Sequence, residues 1–396
     1  MRIHLWLCLF VIMIIYRTFE KIGQMYERTI KETIRSKSGR GKAIILTGPR
    51  QVGKTTLLKT QLLKKNHLFL DADDPTVRNL LNNPNTEQLK SIVGNSKIVF
   101  IDEVQRIPGI GITLKILTDQ FKDVQLYVSG SSSFDLSNEL NEPLTGRKWE
   151  YELFPISWEE FESKHGYIIS EQQLENRLLY GFYPDVLNNP GEEKDILKQL
   201  VNSYLYRDIL AYSKIRKPEV LEKLVQSLAL QLGSEVNYNE LSQIVGVDKN
   251  TISNYITILQ KGYVVFKLGS FSGNLRNEIK KNKKIYFYDN GIRNMILGNF
   301  SSLNLRQDTG VLWENFLISE RLKQNNYKGS LAKMYFWRTK QQQEVDLVEE
   351  TAGRLTGYEF KWNAKQNVRL PKTFIENYKA KQEIIDRNNF REFVVI

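Results

Sequence analysis

Hydrophobic positions along this chain fall into two rhythms. From Lys42 onward, apolar runs at Ala43–Thr47, His67–Asp71, Ile98–Asp102 and Val124–Ser129 alternate with longer segments whose apolar residues recur at helical intervals. Runs that are apolar almost throughout, separated by amphipathic stretches, predict a parallel sheet covered on both faces. A fifth run, Trp149–Pro155, closes this region, and residues 157–235 then read as mostly helical. Further on, the pattern predicts a short helix Tyr238–Val245, a turn at Gly246 and a second helix capped by Asp248 and running to Lys261. Strands Val264–Leu268 and Lys284–Tyr288 follow around a polar loop, which is the winged-helix pattern. From Leu312 an amphipathic helix leads into strands Lys333–Arg338, Glu344–Glu349 and Thr356–Trp362. The fold expected is α/β.

The 396 residues suffice for two or three domains, and 41% hydrophobic with 26% charged residues excludes a disordered or fibrous chain. A net charge of +11 permits a polyanionic partner. The single cysteine, Cys8, excludes an internal disulfide and a cysteine zinc cluster, and His4, His67 and His165 have no metal-ligand spacing. This usage fits a reducing compartment, so a cytoplasmic protein is expected. Ile3–Tyr16 is almost wholly apolar. As a helix it reaches about 21 Å, short of the ~30 Å hydrocarbon core, and no small-residue cleavage site follows it. Residues 1–24 are therefore either a membrane anchor or an over-extended start, with Met25 favoured as the true first residue.

Gly48-Pro-Arg-Gln-Val-Gly-Lys-Thr55 fits GxxxxGK[ST] between an apolar strand and an amphipathic helix. Gly48 and Gly53 let the loop curl its backbone N–H groups inward around phosphates, with Arg50, Gln51 and Val52 between them. Pro49 contributes shape and no donor, and Thr56 continues the cradle into the helix. Lys54 is expected at the β- and γ-phosphates and Thr55 at Mg²⁺. The strand Ile98–Asp102 ends in Asp102 and Glu103, placing Asp102 to hold the metal and Glu103 to polarise an attacking water. Ser129-Gly-Ser-Ser-Ser133 follows the neighbouring strand, so Ser129 or Ser131 is expected to sense the γ-phosphate. Arg147 is a candidate guanidinium for a phosphate, its own or a neighbour's, or a salt-bridged loop residue.

Gly48–Leu58, Leu70–Pro75, Ile98–Gln105, Ser129–Ser132, Leu144–Arg147 and Phe154-Pro-Ile-Ser-Trp-Glu-Glu-Phe161 together resemble a prokaryotic AAA-superfamily ATPase. That family carries a C-terminal domain of unknown function related to restriction endonucleases. The resemblance spans roughly residues 25–390 and implies ATP binding, with hydrolysis, but little about physiological role. The organisation expected is a P-loop AAA-like parallel-sheet core over 25–160, a helical linker over 161–235, a winged helix over 236–292 and a restriction-endonuclease-like α/β domain over 293–396.

In the would-be recognition helix, Ile252, Tyr255, Ile256 and Leu259 are expected to face the core, while Lys249, Asn250, Ser253 and Asn254 face outward toward phosphates and base edges. Lys280, Lys281, Lys283 and Lys284 add basic charge at the wing, or are a solvated loop. In the last domain, Glu314 on its helix, Asp346 on one strand and Glu359 with Lys361 on the next resemble the PD-(D/E)xK nuclease core, although no proline precedes Asp346. Asp346 and Glu359 would share a Mg²⁺, and Lys361, on the face of Glu359, would orient a water. The function expected is a Mg²⁺-dependent ATPase, an ATP-driven switch acting on DNA. The alternative is an ATP-dependent regulatory protein whose C-terminal modules bind protein and whose nuclease-like domain is inactive. Homo-oligomers and protein partners are open in both readings.

Overall fold

The computed structural model describes residues 25–62, 66–131, 143–203, 218–272, 283–363 and 369–395. The apolar segment 1–24, Ser132, Ser133, Lys280 and Lys281 lie outside the described residues.

Five strands, β1 (Ala43–Thr47), β2 (Leu68–Asp71), β3 (Ile98–Asp102), β4 (Gln125–Gly130) and β5 (Lys148–Glu152), form one parallel sheet in the order β2-β3-β4-β1-β5. Alternate residues feed two cores, as the period of a strand requires. Ala43, Ile45, Val99, Ile101, Leu126 and Val128 pack with Leu81, Leu89, Leu114 and Leu117 of the helices on one face. Ile44, Leu46, Ile98, Phe100 and Tyr127 face the other core, which continues without interruption into the rest of the molecule. The parallel sheet expected from the apolar runs is therefore present.

The second sheet is mixed. It contains β6 (Glu235–Val236), β7 (Val265–Ser270), β8 (Lys283–Phe287), β9 (Lys333–Arg338), β10 (Glu344–Thr351), β11 (Arg354–Phe360) and β12 (Lys381–Ile385), in the order β12-β11-β10-β9-β7-β8-β6. The antiparallel β7–β8 hairpin follows the helix pair Tyr238–Val245 and Lys249–Lys261 as expected. However, β7 also pairs in parallel with β9, through Gly269 opposite Tyr335 and Ser270 opposite Phe336. One sheet thus crosses the boundary expected at residue 292. On the second helix Ile252, Ile256 and Leu259 are buried and Tyr255 half-buried, while Lys249, Asn250 and Asn254 are exposed and Ser253 is half-buried. Among the described residues no helix is long and apolar enough to cross a membrane.

A buried guanidinium ties the two sheets together. Arg28 is 6% exposed and ion-pairs with Glu160 at 3.0 Å. It also donates to Val52 O and Phe154 O, each at 2.7 Å, and to Tyr327 Oη at 3.1 Å. The Tyr327 hydroxyl in turn accepts the Phe154 N–H at 3.1 Å. Glu160 completes a capping box with Ser157 at the start of the helix Trp158–His165. Replacing Arg28 by Met would leave the Glu160 carboxylate buried without its cation, and we expect a loss of about 3–5 kcal/mol in urea denaturation. Tyr327→Phe strands the Phe154 N–H and one Arg28 N–H and is expected to cost about 1–3 kcal/mol.

Candidate active site

The loop after β1 turns sharply at Gly48, whose φ is +145° and where a Cβ would lie 2.0 Å from Leu153 O. Glycine is required there by space as well as by conformation. Within the loop, three residues expected to cradle phosphates lie in different settings. Gln51 stands at the tip in the left-handed region, φ 60°, with its side chain exposed at the mouth of a cavity. A non-glycine residue held there carries a local backbone cost, which the sequence pattern of the loop does not announce. Val52 instead turns its side chain into the core and its carbonyl toward Arg28, and Arg50 is half-buried. The loop then delivers Lys54 and Thr55 to the first turn of the helix Lys54–Leu62, at the carboxyl edge of the sheet. The Lys54 ammonium is buried and donates to Gly48 O at 2.9 Å and Pro49 O at 2.6 Å. Burial depresses its pKa to about 8, against the pull of Glu103 and Asp102 and with help from Arg50.

Asp102, at the end of β3, gathers the site around its carboxylate. Thr55 Oγ1 donates to Oδ2 at 2.7 Å, the Glu103 N–H donates to Oδ1 at 3.0 Å, and Ser129 Oγ also donates to Oδ1. Glu103 sits in the left-handed region at φ 51°, ψ 40°. Its carboxylate accepts from Ser131 Oγ at 3.1 Å and from the Gln105 amide, which itself donates to Ser131 Oγ at 2.8 Å. The two serines expected as γ-phosphate sensors therefore lie in the site, each bound to one of the acids. A hydroxyl and a carboxylate in contact are hard oxygen donors of the kind Mg²⁺ takes together with waters and phosphate oxygens. Thr55 and Asp102 fit that ion.

Sequence reasoning misses two parts of the site. Gln105 has no motif to mark it, although its amide orients Glu103. Pro184, Asp185 and Asn188 line a cavity of about 370 Å³ together with Gln51, Lys54, Thr55 and Glu103. A second cavity, about 530 Å³ and mostly apolar, adjoins it through Gly53, Thr56, Pro184 and Asn188 and extends between Met25–Arg28 and the Leu57–Thr60 turn. The helix Pro184–Asn188 is held in place by Asp289. That carboxylate accepts the Phe182 N–H at 2.7 Å, and a Cβ on Gly181 would lie 1.9 Å from its Oδ1. The Gly181-Phe-Tyr-Pro184 sequence, a helix stop followed at once by a helix start, is the available signal.

For Arg147 the structure shows the salt-bridged loop setting. Its backbone carbonyl accepts the Ala43 N–H, so it enters the sheet at the edge opposite the phosphate loop, and its guanidinium ion-pairs with Asp119 at 2.6 Å. It does not reach its own nucleotide site.

In the C-terminal region the sequence-expected residues do converge. A register shift in β10 between Val345 and Val348 brackets Asp346, whose Oδ2 accepts the Phe360 N–H at 2.8 Å. Lys361 Nζ donates to Glu359 at 2.7 Å, and Tyr286 Oη donates to Glu314 at 2.6 Å. The cation among these acids is Lys284, 1% exposed, which lies 3.3 Å from Glu314 and in contact with Glu344. Burial opposes its charge, but Glu314, Glu344 and Asp346 outweigh burial and hold its pKa above the ordinary lysine value. Burial and the charges of Glu314 and Glu359 push the Asp346 carboxyl well above its usual range, only partly offset by Lys284. Among the described residues no three His, Cys, Asp or Glu side chains are placed to hold a metal ion. Lys284 is thus no surface lysine of a wing but a buried cation beside Glu314 and Glu344.

The depressed Lys54 pKa gives a pH signature with a definite sign. Below about pH 8 the ammonium is present before the nucleotide arrives; above it, binding must also take up a proton. Affinity for a fluorescent ATP analogue should be flat between about pH 7 and 8 and fall above that by up to about tenfold per pH unit. Lys54→Met should bind weakly with no such fall.

Residues 40–162 match the family described as AAA domain, residues 171–303 a domain of unknown function (DUF8612) and residues 309–395 another (DUF4143). An uncharacterized protein of Mycobacterium tuberculosis is 28% identical over 330 residues, covering 81% of this chain and 70% of that protein. An uncharacterized protein of Methanocaldococcus jannaschii is 23% identical over 317 residues, covering 74% and 69%. Among solved structures, a Walker-type ATPase of Pyrococcus abyssi is similar over 69% of this chain and 96% of its own, at 15% identity and a TM-score of 0.48. The AAA match contains the Gly48–Thr55 loop and the Asp102–Glu103 pair, so residues 40–162, with the parallel five-stranded sheet and the loop after β1, are similar to an AAA domain.

Proposed function

We propose that this chain is a Mg²⁺-dependent ATPase whose nucleotide cycle acts on DNA. The observation that carries the hydrolytic part is the joined set Lys54–Thr55–Asp102–Glu103, with Asp102 bonded to the Thr55 hydroxyl and Glu103 oriented by Ser131 and Gln105. In this reading Gly48–Thr56, with Gln51 at its tip, cradles the phosphates through backbone N–H groups, and Lys54 neutralises the β- and γ-oxygens. Thr55 and Asp102 hold the Mg²⁺, which when bound offsets charge on the transferring phosphoryl group. Glu103 polarises the attacking water. The mostly apolar cavity between Arg28 and Thr60 takes the base and ribose, closed on one side by Pro184 and Asn188. The DNA part rests on the helix Lys249–Lys261, with Lys249, Asn250 and Asn254 exposed on one side, and on the net charge of +11.

One observation favours the second reading for the C-terminal domain. With Lys284 paired to Glu314 and Glu344, a buried cation of the protein itself stands among the nuclease-like residues, so we assign that domain no cutting activity.

Steady-state ATP turnover on the full chain, with and without duplex DNA, tests the proposal. Lys54→Ala should lose nucleotide binding. Glu103→Gln should keep binding and lower turnover by about 10²–10⁴-fold. DNA should stimulate the wild-type rate and emerge intact on a gel, with Asp346→Ala behaving alike. Turnover indifferent to DNA would instead support a protein-binding regulator, and no nucleotide binding would reject the hydrolytic reading altogether.

A further inference from the structure

The sequence contains no acidic residue between Glu32 and Asp71, while nine lysines and arginines fall in that interval. Three of them, Lys37, Arg40 and Lys42, flank the turn between the helix Ile30–Lys37 and β1. That turn is pinned to the sheet: the Gly39 N–H donates to Gln125 Oε1 at 2.6 Å, the Gln125 amide donates to Lys42 O at 3.0 Å, and Tyr127 Oη donates to Ser38 at 2.8 Å. The cations are therefore presented on fixed backbone.

They meet the outermost strand of the five-stranded sheet. The ammonium groups of Lys37 and Lys42 each lie 4.6 Å from the centroid of the Trp149 ring, and Arg40 acts electrostatically on Tyr151. Trp149 and Tyr151 share one face of β5, and both are half-buried. Among the described residues none of the three cations has a carboxylate partner, whereas Arg35, Arg147 and Lys148 nearby are paired with Glu32, Asp119 and Glu150. Three unneutralised cations beside two aromatic rings on a rigid edge are the components of a surface that follows a nucleic-acid strand, with phosphates on the cations and bases on the rings.

We propose that Lys37, Arg40 and Lys42, with Trp149 and Tyr151, form a second nucleic-acid surface on the ATPase domain, binding the sugar-phosphate backbone of a single strand without regard to sequence. It lies away from the nucleotide cavities, and its residues are separate from those of the helix Lys249–Lys261. The inference extends the DNA reading above and rests on it for the class of partner alone.

The test is fluorescence anisotropy of labelled oligo(dT) and a mixed-sequence strand on the full chain across a salt series, with a labelled duplex alongside. The triple variant Lys37→Gln, Arg40→Gln, Lys42→Gln should bind single strands about tenfold more weakly at ~0.1 M salt. It should also flatten the slope of log affinity against log salt by about 2. Trp149→Leu should weaken binding with the slope unchanged, which loss of folding would not produce. Binding of the ATP analogue should be unaffected in both. If Lys249→Ala with Asn250→Ala weakens binding but the triple variant does not, this surface is rejected and the DNA reading stands. If wild-type protein binds no nucleic acid while ATP turnover is intact, both fall and the ATPase reading alone remains.

Discussion

A guanidinium taken out of water must find acceptors for its N–H groups, and Arg28 finds them in three distant parts of the chain. Val52 belongs to the phosphate loop, Phe154 and Glu160 to the corner leaving the first sheet, and Tyr327 to the last residue of the long helix Thr309–Tyr327. No one of these segments can shift without leaving buried polar groups unsatisfied. The first sheet, the phosphate loop and the C-terminal domain are thereby fixed in one arrangement before any nucleotide arrives. The aromatic packing around that point, with Phe154 against Tyr288 and Tyr327, seals the pair from solvent.

The nucleotide site is built on the same logic with one difference: it holds a charge whose partner is not part of the protein. Lys54 rests on two carbonyl oxygens while burial works against its charge, so an incoming anion relieves a penalty already present. Asp102 and Glu103 are each restrained by hydroxyl, amide or backbone donors, which in the proposed hydrolysis would keep reorganisation small as charge develops. The left-handed backbone at Glu103 is the local cost of turning its side chain back toward the loop.

Much of this could be read from residue order, and the exceptions have physical reasons. Four of the five parallel strands were legible because their runs are apolar almost throughout, whereas β5, Lys-Trp-Glu-Tyr-Glu, lies at the edge and alternates; the loop glycines were legible because only glycine tolerates the backbone at Gly48. The edge strands β6 and β12 were not: one has two residues, and the other, Lys-Gln-Glu-Ile-Ile, is half polar because only its inner side is covered. Pro184 and Asn188 reach the site through Asp289, more than a hundred residues away, a contact that no local pattern encodes. Lys284 sits in a run of lysines that looks solvated, yet Glu314 and Glu344, brought in by a helix and a strand from later in the chain, draw it inside. Arg147 follows a glycine in a loop, as a phosphate-contacting residue well could, but the strand it opens runs toward the site and leaves it at the far end.

The parallel pairing of β7 with β9 has a consequence for how the molecule is made. In a chain synthesised from its N-terminus, β7 emerges some 60 residues before Lys333–Arg338 can cover it. During that interval the backbone of Gly269 and Ser270 presents open hydrogen-bonding groups to whatever strand is nearest. On β7 itself, Lys267 puts a charge on the strand whose edge is open, where like charge discourages a second chain from pairing.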